Sequence, residues 1–159
     1  MIQRIQSVYL LLIFLISALM MFVNPNFAKF SNTKAEKISA ELRFVTKHYF
    51  NQSDPGTAPY DKLNLILIVF LGIGSLYTLF LYKKTELQKK MSLYLALLSM
   101  GLLLSLVLDF MKMSGDLPEV SSYPSFHVVW PVGCIVLSVL TWAAIRRDEN
   151  LLKSMDRIR

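Results

Sequence analysis

The sequence predicts an all-α integral membrane protein: an up-down bundle of four transmembrane helices with a partly structured outer loop between helices 1 and 2. Four apolar segments are each about long enough to cross the roughly 30 Å hydrocarbon core of a bilayer. They contain no Asp, Glu, Lys or Arg, and short connections after the second and third favour antiparallel neighbours. Hydrophobic residues make up 54% of the chain, above the roughly 45–50% of soluble chains. The predicted spans are residues 5–23, 63–82, 91–108 and 126–145.

The 159 residues predict a single membrane domain, because the spans and their connections consume nearly the whole chain. A separate soluble catalytic domain has no room. The single cysteine, Cys134, lies in the fourth span and has no second cysteine with which to form an intrachain disulfide. This excludes the four-helix thiol oxidoreductases, which need paired cysteines.

The first span also has to be weighed as a signal peptide, since Arg4 precedes an apolar stretch. The uncharged run over residues 5–28 is longer than the usual signal core of about 7–15 residues. No Ala-x-Ala cleavage pattern follows it. We therefore expect it to be retained as a true span.

The distribution of Lys and Arg predicts the orientation. The N-terminus, the loop 83–90 and the tail 146–159 together carry ten, whereas the long loop 24–62 carries six and the loop 109–125 carries one. By the positive-inside rule both termini face the cytoplasm, and the loops 24–62 and 109–125 lie outside. Tyr and Trp residues near both ends of the spans fit the two membrane interfaces.

We attribute the net charge of +6 to contact with the membrane surface rather than to nucleic-acid binding. The outer loops balance to zero, so the whole excess lies on the cytoplasmic side. Basic groups there contact anionic lipid headgroups. We expect the lipid bilayer and these headgroups as partners, and no nucleic acid.

The outer loop leaves one choice open over residues 34–50. Thr33 and Glu36 match a helix capping box, and a helical stripe follows. Residues 38–44 also alternate between apolar and polar, as in a half-buried strand. The cap and the Ala, Glu, Lys and Leu content favour a helix slightly. Residues 51–59 read as a turn.

Two features of the fourth span also allow alternatives. Pro131 either kinks the helix or lies in its first turn, where its missing N–H costs little. In the tail, Leu151, Met155 and Ile158 share one helical face. The tail is then a continuation of the fourth helix, a short amphipathic helix on the inner leaflet, or a solvated helical end.

Small residues mark where transmembrane helices can approach closely, because lipid tails are as apolar as the helices themselves. The second and third spans carry small-xxx-small patterns that are candidates for helix packing or partner contacts. These residues are Gly72, Gly74, Thr78, Gly101 and Ser105.

Asp109 and His127 flank the second outer loop and form a candidate polar pair at the outer face. A carboxylate near an imidazole can handle protons. The preferred reading is that Asp109 ends a span and His127 extends toward water, because a proton relay needs further groups deeper in the membrane.

Other chemistry receives less support. Met111 and Met113 with His127 could bind Cu(I), but methionines commonly fill interfacial gaps. Span serines lack a base within reach and usually hydrogen-bond helix carbonyls. We expect no catalytic residue, no metal and no cofactor.

The opening Met-Ile-Gln-Arg-Ile-Gln resembles the start of an uncharacterised family of four-span inner-membrane proteins from Bacteroidota, domain of unknown function 4293. The resemblance covers the whole chain and implies a bacterial cytoplasmic membrane, but no activity. Within this opening, Gln3 and Gln6 share a helix face that could dock a partner helix through amide hydrogen bonds, and Arg4 can reach lipid phosphate. The alternative is a polar helix end that sets orientation.

These observations favour a non-enzymatic accessory or assembly subunit that packs against other membrane subunits. The alternative is a small oligomeric transporter or ligand-binding membrane protein. Its polar path would be built from Ser75, Thr78, Ser99 and Ser105, with Asp109 and His127 at the mouth.

Overall fold

Four long apolar helices dominate the computed structural model, which describes residues 3–32, 38–49, 61–116 and 120–156. They are α1 (Gln3–Phe22), α2 (Lys62–Phe80), α3 (Thr85–Asp116) and α4 (Val129–Asp156). Each helix packs on the next one in the chain, and α4 also packs on α1. All four are long and apolar enough to cross a membrane, which confirms the prediction of four long apolar helices and supports a multi-pass membrane protein.

The helix ends resolve both alternatives of the fourth span. A short 3-10 turn, Phe126–Val128, leads into α4, so Pro131 lies in the first turn of the helix. At its other end α4 runs without a break to Asp156, and the tail to that point continues the fourth helix. The third helix is also longer than its predicted span: its 32 residues correspond to about 48 Å.

A small antiparallel sheet corrects the all-α prediction and, over the described residues 38–49, the preference for a helix in the segment 34–50. Its strands are β1 (Asn26–Asn32), β2 (Ile38–Arg43), β3 (Lys47–Tyr49) and β4 (Val120–Pro124), in the order β3-β2-β1-β4. Residues 38–43 form a strand rather than a helix because Ala40, Leu42 and Phe44 then point into one apolar core. The capping box at residues 33–36 and the turn at 51–59 lie outside the described residues.

The sheet joins the loop between α1 and α2 to the loop between α3 and α4. Ala28 of β1 lies opposite Leu42 of β2 on one side and Pro124 of β4 on the other. Beyond β4, the Ser125 amide donates to the Phe27 carbonyl at 2.8 Å. We call the end of the bundle that carries this sheet the sheet end, and the end near residues 84–90 and 146–156 the tail end.

Two apolar clusters fill the bundle. At the sheet end, buried side chains of the sheet meet buried side chains of α1, α2 and α3, and Phe30 lies 5.5 Å from Phe110 between ring centroids. Toward the tail end, Leu10, Ile13 and Leu71 pack with Leu95 and Cys134. Large apolar side chains on the outer faces of all four helices are exposed, as expected of surfaces that contact lipid.

Candidate functional site: a polar network where the sheet meets the helices

An ion-pair cluster lies where β3 meets the helices. The Lys47 ammonium on β3 contacts Asp61 Oδ2 at 2.9 Å and Asp109 Oδ1 at 2.7 Å. Asp61 precedes α2, and Asp109 lies on α3. All three side chains are largely buried. One cation therefore contacts a carboxylate just before α2 and a carboxylate on α3, and it ties the sheet to both helices.

Asn64, in the first turn of α2, completes the cluster. Its Nδ2 donates to Asp61 Oδ2 at 3.0 Å and to Asp109 Oδ2 at 3.1 Å. Its Oδ1 accepts a hydrogen bond from Ser105 Oγ at 2.7 Å. Asn64 is fully buried, so both of its N–H donors and its carbonyl need partners, and here they have them. We call Lys47, Asp61, Asn64, Ser105 and Asp109 the polar network.

Local backbone features place the members of the network. Asp61 caps α2: its Oδ1 accepts from the Leu63 amide at 3.2 Å, and its own amide donates to the Val45 carbonyl at 2.8 Å. Ser105 and Asp109 are four residues apart, so they share one face of α3. The β2–β3 turn is held by Asn24, which has a positive φ of 44° and accepts from the Val45 amide at 2.9 Å. An Asn tolerates this backbone conformation better than most residues.

The network favours the charged forms of Asp61 and Lys47. Burial acts against charge on both, but it is outweighed at each. Hydrogen bonding with Asp109 and Lys47, together with the Lys47 charge, lowers the pKa of Asp61 below its ordinary 3.8. Hydrogen bonding and charge interaction with Asp109 and Asp61 raise the pKa of Lys47 above its ordinary 10.5.

These pKa shifts predict a stability plateau. Asp61 contributes fully above pH 3.8, and its contribution is lost as pH falls through its lowered pKa. Lys47 contributes fully below pH 10.5, and its contribution is lost as pH rises through its raised pKa. The melting temperature of the detergent-solubilised protein, measured from about pH 3 to about pH 11, should be highest between these limits. In Lys47→Met the fall on the alkaline side should be smaller; an unchanged profile would contradict this assignment.

The predicted outer-face pair is divided between two environments. Asp109 contacts Lys47 and Asn64, whereas His127 Nδ1 lies 2.9 Å from Ser125 Oγ and the ring packs edge-on against Trp130. The copper candidates are separated in the same way. Met113 is buried in the core at the sheet end, and Met111 is exposed.

The small residues of α2 lie inside the bundle. A Cβ on Gly72 would come within 3.0 Å of Ser17 Oγ on α1, and one on Gly74 within 3.0 Å of a Leu95 methyl on α3. These glycines therefore allow close approach between helices of this chain. Thr78 Oγ1 donates to the Gly74 carbonyl. At Gly101 no described atom outside its own helix lies within 4 Å of a Cβ position, so this glycine faces open space.

Most hydroxyls of the suggested polar path donate to carbonyls of their own helices. Ser75 Oγ donates to the Gly72 carbonyl at 2.8 Å, and Ser99 Oγ contacts the Leu95 and Ala96 carbonyls at 3.0 Å. Ser105 instead donates to Asn64. These hydroxyls are occupied by local partners, which weakens the case for a continuous polar path.

At the tail end, Gln6 is buried and its Nε2 donates to Asp148 Oδ2 on α4. This glutamine thus binds within the chain. The side chains of Gln3 and Arg4 lie outside the described residues. Nearby, Lys89 Nζ pairs with Glu149 at 2.9 Å and links α3 to α4. Asp148 Oδ1 is buried with no hydrogen-bond partner among the described residues.

Sequence reasoning missed Lys47, Asp61 and Asn64. Asn64 carried a signal, because a primary amide inside an otherwise apolar span is expensive unless it finds partners. Lys47 carried none, because its partners lie 14 and 62 residues away in the chain. Chemically, the network can hold charge and link elements. Within the described residues, no group of three or more His, Cys, Asp or Glu side chains could hold a metal ion.

Comparison with known protein families gives a match over nearly the whole chain. The family described as Domain of unknown function (DUF4293) matches residues 2–158. That segment contains all four helices and the whole sheet, so the match covers the fold and the polar network together. A search of curated proteins gave no match.

Proposed function

We propose that this chain, which belongs to the family described as domain of unknown function (DUF4293), is a non-enzymatic accessory or assembly subunit of a larger membrane complex. The observation that supports this most is the polar network. Its charged and amide groups pair with one another and fix a sheet to the ends of two helices. A sheet mounted rigidly at a bundle end suits a protein that presents a surface to other subunits.

The setting belongs to the same proposal. We place the protein in the bacterial cytoplasmic membrane, in Bacteroidota as the resemblance of its opening implies, with both termini in the cytoplasm and the sheet outside. The excess of basic residues at the tail end supports this orientation. Other membrane subunits and the lipid bilayer are its partners.

The face of α3 around Gly101 is the first surface to test for a partner helix. Leu97, Met100 and Leu104 are exposed beside it, and the missing side chain leaves a notch in this apolar face. Close backbone approach at such a notch is how transmembrane helices associate without a hydrophobic driving force.

The experiment is photocrosslinking in native membranes at natural expression level. A crosslinking residue at Met100 should capture one reproducible protein, identified by mass spectrometry after mild-detergent purification. Gly101→Leu should abolish the adduct while the melting temperature is retained.

The matched control is Gly133→Leu on α4, a glycine that also faces open space. It should leave the adduct intact. Crosslinks to lipid alone from exposed positions on all four helices, with only the monomer purified, would overturn the proposal.

A further inference from the structure

A groove between α3 and α4 near the tail end belongs to neither the sheet nor the polar network. Its volume is about 200 Å³, and it is lined by Ser92, Leu93, Ala96, Ser138, Val139 and Trp142. Its two serines present no free donor, because Ser92 Oγ donates to the Lys89 carbonyl at 2.8 Å and Ser138 Oγ to the Cys134 carbonyl at 2.7 Å. The groove is therefore apolar in character and fits hydrocarbon better than a polar ligand.

A basic depression adjoins the groove at Trp142. That depression is lined by Trp142, Ala143, Arg146, Arg147, Asn150 and Leu151. The Arg146 guanidinium carbon lies 5.4 Å from the centroid of the Trp142 ring, and both arginines are exposed. Arg guanidinium groups bind phosphate oxygens through paired N–H donors.

The nearby carboxylates among the described side chains have partners other than these arginines. Glu149 pairs with Lys89, and Asp148 accepts from Gln6. Among the described residues, neither Arg146 nor Arg147 has a carboxylate within ion-pair distance. The charge of the depression is thus available to an anion from outside the chain.

The depths of the two parts match one lipid molecule. Ser138 and Arg146 are eight residues apart on α4, about 12 Å along the helix axis. One leaflet of the hydrocarbon core is about 15 Å deep. An acyl chain in the groove and a phosphate at the arginines would thus be separated by a distance that fits within one phospholipid molecule.

We propose that the α3–α4 groove and the adjoining depression form a binding seat for one anionic glycerophospholipid. An acyl chain lies along Ala96 and Ser138, and the headgroup phosphate binds Arg146 and Arg147. The excess of basic residues at this end places the seat in the cytoplasmic leaflet. The seat is independent of whether the protein serves as an accessory subunit.

Trp142 lines the seat and can report on its occupant. The chain has two tryptophans, so Trp130→Phe leaves Trp142 as the sole fluorescent indole. This variant is placed in nanodiscs that contain brominated phosphatidylglycerol or brominated phosphatidylcholine at equal fraction. We expect phosphatidylglycerol to quench Trp142 at about thirtyfold lower mole fraction, the scale set by two basic side chains near an anionic headgroup.

Three variants in this background separate the seat from general attraction to the membrane. Arg146→Gln with Arg147→Gln should remove the preference for phosphatidylglycerol. Ala96→Leu should reduce quenching by filling the groove. Lys84→Gln removes an exposed positive charge at the same end and should leave the preference unchanged.

The proposal fails if the two lipids quench equally. It also fails if Lys84→Gln weakens the preference as much as the double arginine variant, which would indicate a diffuse surface effect. Added inorganic phosphate should not relieve quenching; relief would point to a free-phosphate site and overturn the lipid assignment.

Discussion

Replacing Phe44 with alanine is expected to destabilise the sheet end by about 3–5 kcal/mol, the range observed for truncation of a buried phenylalanine. The Phe44 ring is fully buried, meets Phe27 edge-on at 5.9 Å, and stacks on Trp130 at 6.2 Å between centroids. Its loss leaves a cavity between the sheet and α4. The effect should appear as a lower melting temperature and faster hydrogen exchange in β1 and β2.

A lipid-facing phenylalanine is the matched control for this variant. Phe70 on α2 is 60% exposed, so Phe70→Ala creates no comparable cavity and should leave the melting temperature close to that of the unmodified protein. Equal destabilisation by the two substitutions would show that the sheet is not packed on the bundle as described.

Removing the Lys47 ammonium is expected to cost about 3 kcal/mol, because two largely buried carboxylates lose the cation that holds them. In Lys47→Met the side chain keeps most of its length and loses its charge. We expect the amides of β3 to exchange faster with solvent, while those of the tail end of α2 and α3 keep their protection. Hydrogen exchange followed by mass spectrometry measures both regions in one experiment.

Two further variants test whether the loss comes from the network. Lys29→Met removes an exposed lysine from β1 and should have little effect. Asp109→Asn in the Lys47→Met background removes one of the orphaned charges and should recover part of the loss. If the double variant is as unstable as the sum of both single changes, Lys47 and Asp109 are not coupled.

The helices could be predicted from sequence because a membrane span is a local property. The 20 uncharged residues 63–82 and the 18 uncharged residues 91–108 can satisfy their backbone in lipid as helices, whatever the rest of the chain does. The exact ends of the helices also depended on contacts with distant parts of the chain. The third helix continues through Asp109 to Asp116 because Lys47 and Asn64 supply partners for that carboxylate beyond the predicted end of the span.

The sheet could not be predicted in the same way, because its pairings are not local. Phe30 of β1 lies opposite Ala40 of β2 and Ser122 of β4, and Ser122 is 92 residues away in the chain. Residues 38–44 satisfied both a helical and a strand pattern. What decided between them was the apolar surface of the helix ends beneath Leu42 and Phe44, which periodicity alone does not reveal.

The pairing of β1 with β4 has a consequence for biogenesis. β1 follows the first helix, and β4 precedes the fourth. The inner strand β1 can therefore pair with β4 only after three helices have been synthesised. If the helix pair α3 and α4 inserted with the opposite orientation, Val120–Pro124 would lie on the wrong side of the membrane. β1 would then keep an unpaired edge, a feature that promotes aggregation. The sheet can therefore be completed only when the segments that precede and follow the two central helices lie at the same end of the bundle.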